Sequence, residues 1–208
     1  GFANFYAIPS EEQTARNGKY ELGPDRKLFR RIRKELPQIN IVAEDLGVVS
    51  ARVKRLLKFC GYPGMKVMQF AFDSDDTNQN LPENHAPNYI VYTGTHDNNT
   101  ILGWAADAPE QELSFTREYL GLSDRESLCW GMIRGGMSSV ADLFITQMQD
   151  FLELGAESRM NTPGLAAGNW QWRIRKECIN DWLAKLLYEN TSVYKRLPKQ
   201  VEINTKKC

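Results

Sequence analysis

In two stretches of this 208-residue sequence an apolar run leads out to carboxylates. In Asn40–Gly47 (N-I-V-A-E-D-L-G), Ile41, Val42 and Ala43 are followed by Glu44 and Asp45. In the second, Tyr89–Thr93 leads into G-T-H-D-N-N-T (Gly94–Thr100), which carries His96 and Asp97. A short apolar run without polar alternation suits a strand buried on both faces, as in a parallel sheet. Such a strand cannot bury an unpaired charge cheaply. The carboxylates therefore belong where the strand opens, and in parallel α/β proteins sites form at the carboxyl ends of strands. There they are available for acid–base or ligand-binding work. The plain alternatives stay open: Glu44 and Asp45 as caps of the next helix, Asp97 as a cap, or His96–Asp97 as a structural hydrogen bond.

Helix and strand signals alternate around these stretches. Asp25–Leu36 reads as a helix with Leu28, Phe29, Ile32 and Leu36 on one face and basic residues on the other. Ser50–Phe59 reads as a second helix, with Ser50 as N-cap and Gly61 as stop signal. Val67–Phe72 reads as a buried strand after the Pro63-Gly64 turn, and Tyr89–Thr93 as the next. Thr100–Ala106, Pro109–Leu120 and Arg125–Met137 read as helices. Ala141–Met148 is a fourth strand candidate ending in Gln149-Asp150. The order signals parallel α/β construction. Ser158–Arg173, rich in Gly, Pro and Asn with two Trp, reads as a long ordered loop, and such loops are usually functional. Ile179, Trp182, Leu183, Leu186 and Leu187 mark an amphipathic helix. Gly1–Tyr20 reads as an irregular loop whose Phe2, Phe5 and Tyr6 pack on a core or stack on a ligand, and Thr205–Cys208 as a frayed tail.

Composition narrows the function classes. Lys+Arg and Asp+Glu number 26 each, so no net field draws the chain to nucleic acid or an anionic membrane. The basic face of Asp25–Leu36 reads as solvated. No apolar run approaches the ~20 residues that span a bilayer. Cys60, Cys129, Cys178 and Cys208 are far apart and form no C-x-x-C, so free thiols in a reducing compartment are expected and zinc is not. Asp73–Asn80 is acidic, but Asn78 stands where a calcium loop needs Gly, so it reads as a surface loop. No metal or cofactor is expected.

Four motifs carry a family resemblance: A-E-D-L-G (43–47), P-G-M-K-V-M-Q-F-A-F (63–72), V-Y-T-G-T-H-D-N-N-T (91–100) and S-R-M-N-T-P-G…G-N-W-Q-W-R (158–173). Their sequence and order resemble the amylomaltases, the 4-α-glucanotransferase or disproportionating-enzyme family related to the α-amylases. The resemblance implies a TIM-type (β/α)8 barrel. Residues 1–208 would be its C-terminal half, with strands five to eight ending near Glu44, at Val67–Phe72, near Asp97 and at Leu143–Met148. It implies transfer of an α-1,4-glucan segment to the 4-hydroxyl of an acceptor sugar, with retained configuration. Retention needs a carboxylate nucleophile and a carboxylic acid roughly 5–5.5 Å apart. Glu44 matches the family's general acid/base, and Asp97 the third carboxylate, which binds donor hydroxyls and stabilises the transition state. His96 would bond the same sugar and Asp45 would support the site. Asn161, Pro163 and Gly164 would shape the sugar groove.

The implied partners are maltooligosaccharides, starch- or glycogen-type glucans and glucose as acceptor, and the implied compartment is cytoplasmic, with a plastid form reading the same. The family's nucleophilic Asp lies in R-[IL]-D-H-F-R-G-F, and Gly1-Phe2 resembles the last two residues of that motif. The nucleophile and the N-terminal half of the barrel are thus expected outside these 208 residues, leaving the chain alone poorly stable and inactive. An α-glucan hydrolase and a non-catalytic glucan-binding half-barrel are the competing expectations.

Overall fold

The structure, a computed structural model, describes residues 1–47 and 49–198. The chain divides into two compact units, Gly1–Met65 with Asn88–Ile90, and Lys66–Pro87 with Val91–Cys208.

The first unit opens with a hairpin rather than the expected loop. Strands β1 (Asn4–Ala7) and β2 (Lys19–Leu22) pair antiparallel, with Tyr6 opposite Tyr20 and their rings 5.1 Å apart. The Tyr6 hydroxyl donates to the Ala15 carbonyl across the connection. The helix α1 (Arg26–Glu35) packs beside α2 (Ala51–Cys60), and Ala3, Phe29, Leu56 and Cys60 form the buried core. Phe29 meets Phe2 and Tyr62 edge-on at 5.5 and 5.8 Å, so the N-terminal aromatics are partly packing groups. Ser50 caps α2, and Gly61 ends it in the left-handed conformation at φ 67°. Arg33 donates to the last carbonyls of α2, on Phe59 and Cys60, where a cation complements the helix dipole. Arg26, Arg30 and Arg33 fan around the Phe59 ring at 5.0, 5.7 and 5.0 Å.

The apolar run Ile41–Ala43 is not a strand. Ala43 donates its N–H to the Pro63 carbonyl, but the Met65 N–H goes to Asp45 Oδ1 at 2.7 Å. A side-chain oxygen thus takes an amide that a ladder carbonyl would have accepted, and pairing stops after one bond.

A three-stranded sheet of order β3 (Gly64–Val67), β4 (Tyr89–Tyr92), β5 (Leu143–Ile145) falls short of the four strands expected. β3 ends earlier than the sequence suggested, because Met68–Phe70 turns into a 3-10 helix. In the second unit α3 (Ile101–Asp107), α4 (Glu110–Leu120) and α5 (Leu128–Ser138) follow β4; Thr100 and Ser127 cap α3 and α5 with their side chains, and α4 starts after Pro109. Met68, Leu81, Ile101, Met132 and Ile133 are fully buried there. Arg196 closes the C-terminal end of α5 by donating to the carbonyls of Met137, Ser139 and Ala141. Asn78 organises the acidic loop as a hub, donating to Phe70, Asp73 and Ser74 while its carbonyl accepts from Asn80.

Gln149 and Asp150 do not end a strand at a cleft. They lie in a short helix, α6 (Met148–Phe151), and both are buried. The amphipathic helix forms as α7 (Asp181–Val193) with Leu183 inside, but Ile179 and Trp182 are exposed. Neighbours in a helix are rotated by ~100°, so Trp182 and Leu183 cannot both face inward. The tail Thr205–Cys208 lies outside the described residues.

Candidate active site

Asp97 stands on the loop between β4 and α3, and local hydrogen bonding fixes that loop. Asn98 Oδ1 accepts from both the N–H and the hydroxyl of Thr95, at 2.9 and 2.8 Å. The Thr95 hydroxyl oxygen then accepts the Asp97 N–H. Gln69, itself buried, donates to the Asn99 carbonyl at 2.9 Å. A Cβ at Gly94 would lie 2.8 Å from Gln69 Nε2 and 3.0 Å from Gln147 Nε2, so a larger residue there would displace the Gln69 side chain that bonds Asn99. Thr100 caps α3 through the Gly103 N–H. With the cap supplied, the Asp97 carboxylate is released to the surface and is half exposed.

Two groups converge on Asp97 Oδ1: Asn161 Nδ2 donates at 2.6 Å and His96 Nε2 lies at 3.3 Å. Arg159 braces the pair from behind. Its guanidinium donates to the Asp97 carbonyl at 2.5 Å and to the Asn161 carbonyl at 2.9 Å. The His96 ring lies 5.1 Å from the Trp170 ring at an interplanar angle of 36°. Trp170 is 54% exposed and held at φ 62°, a conformation that side chains of this size rarely adopt. Its N–H donates to the Met160 carbonyl at 2.7 Å. The Asn169 side chain holds the loop by bonding the backbone of Thr162 and Leu165. Pro163 and Gly164 are exposed at its tip, and Gly164 has φ 84°.

The structure thus brings together Asp97, His96 and Asn161, Asn161 through a hydrogen bond and His96 through a 3.3 Å contact, with Pro163 and Gly164 on the same loop as Asn161. Glu44 and Asp45 belong to the first unit. Glu44 is exposed, while Asp45 is partly buried and spends Oδ1 on Met65. Reading the sequence missed Arg159 and Trp170 as individual residues, although both stand inside the S-R-M-N and G-N-W motifs. It also missed Asp150, which gave no signal beyond ending an apolar run. Burial raises the Asp150 carboxyl above the usual range, against the lowering effect of bonds from Thr93 and Ile101. Among the described residues no cluster of His, Cys, Asp and Glu is arranged to hold a metal ion. Burial pushes the Cys129 thiol up to about 12, so it does not act as a thiolate at neutral pH.

A sequence profile of glycoside hydrolase family 77, described as 4-alpha-glucanotransferase, matches residues 1–179. The chain belongs to that family. The 4-alpha-glucanotransferase of Solanum tuberosum, a chloroplastic/amyloplastic protein, is 48% identical over 200 residues, covering 95% of this chain and 35% of the relative. That of Clostridium butyricum is 43% identical over 197 residues, covering 94% of this chain and 40% of the relative. The chain is therefore well under half the length of the curated family members it matches. Amylomaltase from Streptococcus agalactiae, solved in complex with acarbose, superposes with a TM-score of 0.91 at 36% identity, over 95% of this chain and 40% of that one. Amylomaltase from Corynebacterium glutamicum superposes with a TM-score of 0.64 at 20% identity and speaks to the fold alone. The fold is that of the α-amylase-like TIM-barrel enzymes.

Proposed function

We propose that these 208 residues form the C-terminal half of a 4-α-glucanotransferase barrel, strands five to eight, and carry its acid/base and donor-binding groups. The observation that carries the reading is the Asp97 arrangement. A half-exposed carboxylate is flanked by a donor amide and an imidazole, beside an exposed indole. Carboxylate, amide and imidazole suit vicinal hydroxyls, and an aromatic face suits the apolar face of a pyranose.

In this reading Asp97 accepts hydrogen bonds from donor-sugar hydroxyls and stabilises the oxocarbenium-like transition state. His96 bonds the same sugar, and Asn161, Pro163 and Gly164 shape the groove. Glu44 protonates the leaving oxygen in the first step and deprotonates the acceptor 4-hydroxyl in the second. Asp45 supports the site by ordering the start of β3. The reading assigns the covalent nucleophile to none of the 208 residues. The substrates are maltooligosaccharides and starch- or glycogen-type glucans, with glucose as acceptor, and no nucleic acid or membrane takes part. The proposed compartment is the cytoplasm, a plastid form being equally consistent with the sequence. No helix among the described residues is long and apolar enough to cross a membrane.

The test is maltotriose disproportionation by this chain joined to the upstream portion of the Clostridium butyricum relative. Glucose and longer maltooligosaccharides are expected, and a folded fusion that forms neither refutes the reading.

A further inference from the structure

We propose that Asp150 is a positioning residue for the Asp97 loop. Its buried carboxylate ties together the end of β4, the segment after β5 and the first turn of α3.

Asp150 has no solvent exposure. Its Oδ1 accepts the N–H of Ile101, the first residue of α3, at 2.9 Å. Its Oδ2 accepts the Thr93 hydroxyl, from the residue after β4, at 2.7 Å. Thr93 Oγ1 also lies 2.9 Å from Thr146 Oγ1, just past β5. Thr93 has one hydroxyl proton and gives it to Asp150, so Thr146 is the donor in that second bond. The result is a directed chain, Thr146 to Thr93 to Asp150, whose Thr93 and Asp150 members are fully buried while Thr146 is partly exposed. The Ile101 N–H sits at a helix N-terminus, where a carboxylate also meets the positive end of the dipole.

Thr93 and Ile101 bracket residues 94–100, so one carboxylate holds both ends of the loop that presents His96 and Asp97. A buried carboxylate is expensive unless its bonds are made, and here both oxygens are engaged. Nothing in the direct Asp97 contacts requires a carboxylate at this place. Cross-linking the ends of the loop is what the geometry accounts for. The catalytic consequence rests on the reading of Asp97 given above, but the positioning itself does not.

The only two histidines make the test direct. The His96 imidazole lies against the Trp170 ring, whose ring current displaces its proton signals. His85 is buried, bonded to Ser139 and the Asn80 carbonyl, and reports whether the second unit remains folded. Proton NMR of the chain is compared for the wild type, Asp150→Ala, Asp150→Asn and Thr93→Val. Asn keeps an oxygen for Ile101, and its amide can donate to Thr93, which then donates to Thr146, so the Ile101 bond is kept and the two threonine bonds are remade in the opposite direction. The expected result is that Asp150→Ala and Thr93→Val release His96 toward free-imidazole positions while His85 stays native, and Asp150→Asn restores both. Should Asp150→Ala unfold the unit and move both signals, Thr93→Val, which removes one arm and keeps the shape, decides. A native His96 signal in a folded Thr93→Val or Asp150→Ala overturns the proposal, as does an Asp150→Asn that behaves like Asp150→Ala.

In the upstream-joined protein, Asp150→Ala is expected to lower kcat on maltotriose by up to about 100-fold, the scale of a 1 Å misplacement. KM moves less and Asp150→Asn recovers the rate. A His96 release without loss of kcat would leave the positioning intact and count against the role of Asp97.

Discussion

Replacing Gly64 by Ala tests the contact that holds Asp45. A Cβ at Gly64 would lie 2.5 Å from Asp45 Oδ2, 2.9 Å from Oδ1 and 3.0 Å from Cγ, so the carboxylate must swing away. It then gives up the Met65 N–H, now 2.7 Å from Oδ1. A hydrogen bond to a charged group is worth about 1.5–3 kcal/mol. Against that, Ala restricts the unfolded chain and recovers about 0.5–1 kcal/mol relative to Gly in a strand. Gly64 is not among the positive-φ glycines, so Ala adds no backbone strain. The net expectation is a loss of about 1–2 kcal/mol, a factor of 5–30 in the folded-to-unfolded ratio. In an Asp45→Ala background the obstacle is gone, and the same change becomes neutral or stabilising by up to about 1 kcal/mol. Urea unfolding followed by far-UV circular dichroism over the four-protein cycle measures the coupling, and hydrogen exchange at Met65 reads it locally. A coupling below about 0.5 kcal/mol would mean that Asp45 and a side chain at position 64 do not compete for the same space, because independent sites add to within that margin.

Two carboxylates should give stability profiles of opposite sign with pH. The Arg134 guanidinium holds the Glu126 carboxyl below its usual value, so its stabilisation is present above about pH 4.3 and is lost as pH falls through the folded value. Glu126→Gln should flatten that acid limb in a pH series of thermal unfolding. Burial raises Asp150, so its contribution is most favourable below about pH 3.9 and declines as pH rises through the folded value. Asp150→Asn should remove that decline. Trp170→Ala in the upstream-joined protein should raise KM for maltotriose by about 5- to 150-fold, the scale of 1–3 kcal/mol for one lost aromatic stack; an unchanged KM removes Trp170 from the groove. Assayed without the upstream portion, the 208 residues should give no disproportionation products.

Local signals foretold the helices well, because their caps are local. Ser50, Gly61 and Thr100 each do the work their residue types suggest. Whether Asp97 caps the next helix or faces outward stays open in the sequence; the structure gives the cap of α3 to Thr100. The hairpin was hidden because β1 and β2 bury no residue, leaving no period-2 contrast to read. The missing strand at Ile41–Ala43 turns on a side chain, since Asp45 captures the Met65 amide, and no apolar pattern encodes that competition. Asp150 escaped for a long-range reason. The rule that charges avoid burial holds unless partners are supplied, and Thr93 and Ile101 are 57 and 49 residues away.

If Glu44 is the general acid/base, its loss must be felt in proportion to the protonation that the donor's leaving group needs. In the upstream-joined protein, Glu44→Gln is measured on maltotriose and on α-maltosyl fluoride, whose fluoride departs without protonation. Release of the first leaving group is expected to collapse with maltotriose, by at least the roughly 100-fold that general acid catalysis supplies, while fluoride release persists. Equal rates for Glu44→Gln and wild type on maltotriose would contradict it.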